Sequence, residues 1–145
     1  MEWKEKIRHW CARCERSRFE TMAKLSRLGA SLSEAEQYIS VLEKEGFINE
    51  DRFINAFIHD HFALKSWGPR KIYHSLIKKG SPSQLVEKAL SEIEVEELDN
   101  ALDNVISARF SLYPDEYKTN RERLIKYLQN RGYTLDNILR ALNRL

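Results

Sequence analysis

The chain has 145 residues, of which five are Gly and three Pro, where average usage places roughly 17 in that length. So few turn formers argue against a sheet-rich fold, which needs a turn signal about every 8–12 residues, and against nucleotide-binding folds built on a glycine-rich phosphate loop. With 32% charged residues, a formal net charge of +2 and a mean hydropathy of −0.58, it has no apolar run near the roughly 18 residues that cross a bilayer.

Along the chain, apolar periodicity predicts nine helices. The first, 3–14, carries Trp3, Ile7, Trp10, Cys11 and Cys14 as one stripe, so both thiols are expected on the buried face as structural cysteines. A zinc site would need a second ligand pair and a redox pair would open a helix after a strand, and the sequence offers neither. The second helix, 18–28, opens on Ser17-Arg18-Phe19-Glu20, a capping box, and the third covers 33–45. The fourth, 49–65, starts at Asn49 with acids in its first turn and an Ile48/Phe53 staple. Gly68-Pro69 starts the fifth, 69–79; Ser81-Pro82 starts the sixth, 82–93, with proline at the first helical position. The seventh spans 95–112. Thr119-Asn120-Arg121-Glu122 has capping-box form and opens the eighth, 119–131, and the ninth is 134–144.

Three segments superpose on Gly29, Gly80 and Gly132, which are 51 and 52 residues apart. Leu25, Leu76 and Leu128 stand four residues before them; Ala35, Val86 and Ile138 stand six after; Ile39, Leu90 and Leu142 ten after; Leu42, Ile93 and Leu145 thirteen after. Steps of three and four keep these on one helix face. Each glycine falls where a left-handed residue closes a helix. The expected architecture is all-α: three tandem three-helix repeats, 1–48, 49–93 and 94–145, stacked into an elongated, curved helical array.

The near-zero net charge conceals segments. From His61 to Val86 there are five bases, Lys65, Arg70, Lys71, Lys78 and Lys79, and no acid; from Glu92 to Asp103 there are six acids and no base; Lys118 to Arg131 is basic again. In the helix 69–79, Ile72, Tyr73 and Leu76 share the inner face, while Arg70, His74 and Lys78 align at i, i+4, i+8 beside Lys71 and the aromatic Trp67. Such a face can bind phosphates or acidic side chains. His9, His59, His61 and His74 form no metal pattern, and no acid is composed with a Ser or Cys nucleophile, so no catalytic, metal or cofactor site is expected. Two cysteines and an N-terminus without an apolar signal core fit a cytoplasmic protein.

Glu45-Gly-Phe-Ile-Asn-Glu-Asp-Arg-Phe53, Ala56-Phe57, Gly68-Pro69, Ile72, Leu76 and Lys79-Gly80 resemble the central signature of the RecX family, bacterial regulators of the RecA recombinase. Arg13, Glu15-Arg16-Ser17-Arg18 and Glu20, followed by Leu25 to Gly29, is similar to that family's N-terminal segment. Two positions depart from it: His61 stands where Arg or Lys is usual, and Thr21 where Leu is usual. The resemblance implies a non-enzymatic regulator that binds the RecA–DNA filament and modulates ATP hydrolysis, strand exchange or filament growth in recombination, DNA repair and the SOS response. Lys65, Trp67, Arg70, Lys71, His74, Lys78 and Lys79 are expected to form the central contact. Arg121, Arg123, Lys126 and Arg131 would form a second, and Arg16, Arg18 and Arg27 a third, whereas Phe47, Ile48, Phe53, Phe57, Ile72 and Leu76 belong to the core. Weak DNA binding, no membrane association and a monomeric state are expected. The competing readings are a helical nucleic-acid-binding module acting without RecA, and a structural adaptor with no role in recombination.

Overall fold

The computed structural model describes residues 2–145, and among them every regular element is helical; residue 1, where the first expected repeat begins, lies outside the described residues. The helices are α1 (Glu2–Arg13), α2 (Arg18–Arg27), α3 (Leu32–Lys44), α4 (Glu50–Ile58), which continues as a π-helical segment (His59–Leu64), α5 (Pro69–Lys78), α6 (Ser83–Ser91), α7 (Val95–Leu112), α8 (Glu116–Thr119), α9 (Arg121–Asn130) and α10 (Leu135–Asn143). They form two compact units. One holds the chain up to Phe57 together with Leu76–Val86, and the other holds Ile58–Ser75 and Glu87–Leu145.

In the first unit α1 turns Trp3, Ile7 and Cys11 inward against Leu25 of α2 and Ala35, Tyr38, Ile39 and Leu42 of α3. The Trp3 and Tyr38 rings meet edge to face at 5.3 Å, a favoured aromatic geometry. Capping boxes start α2 (Ser17 with Glu20) and α3 (Ser31 with Glu34). Thr21, where the RecX resemblance has leucine, is fully buried, and its hydroxyl donates to the Ser17 carbonyl at 2.7 Å. That bond removes the cost of burying an unpaired hydroxyl.

The second unit buries Leu102, Val105 and Ile106 of α7, Leu124 and Leu128 of α9, and Tyr133, Ile138, Ala141 and Leu142 around α10. Beside this core the Glu116 carboxylate, only 3% exposed, takes two hydrogen bonds from Arg109 at 2.8 and 2.9 Å. Arg109 is itself stacked 4.2 Å from both the Tyr113 and Tyr127 rings. Its guanidinium holds the Glu116 carboxyl below the usual carboxylate value of 4.5.

Gly29, Gly80 and Gly132 all have positive φ, at 101°, 85° and 105°, and the residues assigned to the core are buried, with Phe47 half-buried against it. Five local expectations are corrected. Cys14 is exposed although Cys11 is buried, because α1 ends at Arg13 and Cys14 leaves the helical stripe. The helix expected over 49–65 changes to π geometry at His59, and the ladder then stops: Ser66 takes φ 57° and Pro69 has no N–H to extend it. Pro82 precedes α6 rather than opening it; its carbonyl accepts the helix's first bond, from Val86 N–H. Ten α-helices form among the described residues rather than nine, because α8 folds as one turn where Glu116 is drawn to Arg109. α8 also displaces the Thr119 cap: the Thr119 hydroxyl donates to Asp115, and the Asn120 side chain caps α9 by accepting from Arg123 N–H.

Candidate functional site

The basic segment around α5 is held by a turn from later in the same unit. Gly68 N–H donates to the Arg131 carbonyl at 2.6 Å and Arg70 N–H to the Gly132 carbonyl at 3.0 Å. Arg131 Nη2 donates to the carbonyls of Lys65 and Ser66, and the Tyr133 hydroxyl donates to Ser66 at 2.9 Å. The two backbones approach so closely that a Cβ on Gly132 would stand 2.6 Å from the Gly68 carbonyl oxygen. Only glycine satisfies both that approach and φ 105°. Burial pushes the Tyr133 hydroxyl up to about 12, so it remains a donor.

So fixed, α5 buries Ile72, which belongs to the second unit, and Leu76, which belongs to the first, and leaves Arg70, His74 and Lys78 exposed. Lys71 is half-buried, its Nζ 4.2 Å from the centre of the Trp67 ring, and that ring lies 4.5 Å from His61. Arg70 and His74 line two open clefts of the second unit. One, of about 500 Å³, is lined by Arg70, Lys71, His74, Gln129 and Asn130 and by the turn 132–135. None of these residues is acidic. The other, of about 470 Å³, is lined by Pro69, Arg70, Tyr73, His74, Glu87, Leu90 and Ser91.

The remaining expected contact residues are placed unequally. Lys65 is exposed before the turn; Lys78 and Lys79 stand at the end of α5, Lys79 Nζ lying 6.0 Å from the Phe57 ring. On α9, Lys126 is exposed, Arg121 lies 5.7 Å from the Tyr117 ring, and Arg123 pairs with Glu116 at 3.4 Å. Arg131 points inward to the 65–66 carbonyls. In the first unit Arg27 is exposed, Arg16 stacks 4.0 Å from the Trp10 ring and donates to its carbonyl, and Arg18 pairs with Glu43. The structure thus brings Trp67, Arg70, Lys71 and His74 to one place. Arg16, Arg18, Arg123 and Arg131 also have partners within their own units, Arg18 and Arg123 with side chains still exposed.

The cleft-lining residues Gln129, Asn130 and Thr134 and the groove residue Leu90 were not assigned from the sequence. Thr134 carried a readable signal, since it caps α10 by accepting from Asn137 N–H three residues on. Among the described residues no three His, Cys, Asp or Glu side chains gather as a metal site would require, and no helix is long and apolar enough to cross a membrane.

Comparison with known proteins gives consistent matches. A family model described as the second three-helix domain of RecX matches residues 49–90. A regulatory protein RecX of Pseudomonas syringae pv. tomato is 32% identical over 132 residues, covering 91% of this chain and 84% of its own. One from Thermus thermophilus is 30% identical over 126 residues, covering 86% and 79%. Among solved structures, that of RecX from Lactobacillus salivarius superposes with a TM-score of 0.89 at 19% identity, over 99% of this chain and 94% of that one.

Proposed function

The chain belongs to the RecX family of regulatory proteins, and from that premise we propose that it binds the RecA–DNA filament and restrains ATP hydrolysis, strand exchange and filament growth, without catalysing a reaction itself. The observation that carries this is the face of α5: Arg70, Lys71 and His74 line a cleft with no acidic lining residue, and Lys78 extends the same helix toward its exposed end. A solvated helix face ordinarily mixes both signs of charge; one of a single sign faces a polyanion or an acidic surface.

Lys65, Trp67 and Lys79 would complete this central contact. Arg121, Arg123 and Lys126 would provide a second, and Arg16, Arg18 and Arg27 a third, with Arg131 acting by holding the turn ahead of α5. Several weak contacts on one chain raise apparent affinity through effective concentration. In this reading three helical repeats, 1–48, 49–93 and 94–145, would each contribute one contact, in a cytoplasmic monomer. The test is RecA-dependent ATP hydrolysis on single-stranded DNA with sub-stoichiometric amounts of the protein. A fall in rate is expected; no change accompanied by tight binding to bare DNA would support a nucleic-acid module acting without RecA, and no change without DNA binding a structural adaptor.

A further inference from the structure

Away from α5, the second unit has an open cleft of about 290 Å³ lined by residues 112–116, Thr119, Asn120 and Arg123. Leu112, Tyr113 and Pro114 follow one another along its lining and all three are exposed, Leu112 at 73%. Consecutive apolar residues left in water stabilise nothing in the fold and promote association, so such a run marks a surface that a partner covers.

The polar groups of the cleft divide into acceptors already engaged and donors that are not. Both Glu116 oxygens take hydrogen bonds from Arg109, and Asn120 Oδ1 accepts from Arg123 N–H. Arg123 meets Glu116 at Nε, 3.4 Å away, and its side chain is 57% exposed. Its two terminal nitrogens donate no hydrogen bond among the described residues. The Glu116 pairing and the Tyr113 ring, 5.2 Å from the guanidinium, restrain Arg123 at its inner end and leave those nitrogens to an incoming acceptor. A planar pair of N–H donors matches a carboxylate.

The charges set how much negative charge the cleft admits. Arg109 offsets Glu116, which leaves Arg123 and Asp115, one of each sign. A nucleic-acid strand, with a phosphate at every nucleotide, would bring its next charges against Asp115. A protein segment with a single carboxylate beside an apolar side chain satisfies both the arginine fork and the apolar run.

We propose that this cleft docks a partner protein segment, which presents one carboxylate to Arg123 and an adjacent apolar side chain to Leu112, Tyr113 and Pro114. The proposal rests on the reading that the chain acts on the RecA filament and deepens it: the second contact is made with the recombinase protomer rather than with the strand it holds.

The experiment measures binding to RecA filaments assembled on immobilised poly(dT) with a non-hydrolysable ATP analogue, and to bare poly(dT) in parallel, at low and high KCl. Leu112→Gln and Arg123→Lys each weaken filament binding about three- to tenfold at both salt concentrations, the loss of one ordinary interface side chain. Arg123→Lys keeps the charge and removes the planar fork, so a role for charge alone would leave that variant binding as the wild type does. Arg121→Gln with Lys126→Gln, which removes two exposed cations of α9, weakens binding at low salt and recovers toward the wild type at high salt. Circular-dichroism melts confirm that each variant is folded. Three results would overturn the proposal: filament binding by either single variant equal to the wild type, a loss in either that high salt removes as fully as it does for the Arg121/Lys126 pair, or an equal proportional loss on bare poly(dT). Each leaves the RecA reading standing where the wild type still binds filaments and restrains ATP hydrolysis. A wild type that does neither overturns that reading, and with it the partner assigned to this cleft.

Discussion

Replacing Arg131 by Gln separates a residue that builds the site from one that touches a partner. Arg131 Nη2 donates to the carbonyls of Lys65 and Ser66. The Ser66 carbonyl keeps the Tyr133 hydroxyl at 2.9 Å when the arginine is lost, so only the Lys65 carbonyl loses its side-chain donor. A hydrogen bond from a charged donor contributes about 1.5–3 kcal/mol. The loop is partly exposed and water can reach it, which puts the cost near the middle of that range, about 2 kcal/mol. At about 2–4 °C for each kcal/mol in a chain of this size, the melting midpoint falls by roughly 4–8 °C. Urea denaturation of the variant measures the loss, and RecA-dependent ATP hydrolysis is measured in parallel below its melting range. Regulation should weaken together with stability, because Ser66 at φ 57° is a conformation that its surroundings must hold. An unchanged midpoint with clearly weakened regulation would refute this and make Arg131 a contact in its own right.

Other consequences are equally specific. Glu116→Gln leaves the Arg109 charge, 12% exposed, without its carboxylate, and should cost about 3 kcal/mol near neutral pH. Since the folded carboxyl lies below 4.5, the stability it contributes is complete above that value and is lost as pH falls through the folded-state value; urea titrations should therefore show wild type and variant converging in acid. Gly132→Ala forces a Cβ to within 2.6 Å of the Gly68 carbonyl oxygen at φ 105°, and should lower the melting midpoint more than Arg131→Gln does. In a thiol assay on the native protein Cys14 should react promptly. Cys11, buried and with its thiol pushed up by that burial, should react only on unfolding.

Much of the fold was legible because helix boundaries are local chemistry. Ser17 and Glu20 cap each other across three residues, and Gly29, Gly80 and Gly132 mark left-handed closures that a sequence displays directly. What escaped was set by contacts distant in the chain. Arg131 looks like one more cation in a basic run, yet the carbonyls it serves lie 65 and 66 residues away. Glu116 pulls a helical turn out of a predicted loop because Arg109 is waiting for it. The cationic face of α5 was readable from its spacing, while the cleft beside it was not, because Tyr73 and Leu90, 17 positions apart, come to line it together only through tertiary packing.

The most direct test of the central claim compares the wild type with Arg70→Ala/Lys71→Ala/Lys78→Ala in RecA-dependent ATP hydrolysis on single-stranded DNA, across a range of salt. All three side chains lie outside the buried core, so the variant should fold. The account predicts that the wild type lowers the rate at sub-stoichiometric ratios with strong salt dependence, and that the folded triple variant restrains it far less and with a flatter dependence. Equal restraint by the two proteins at every salt concentration would contradict it.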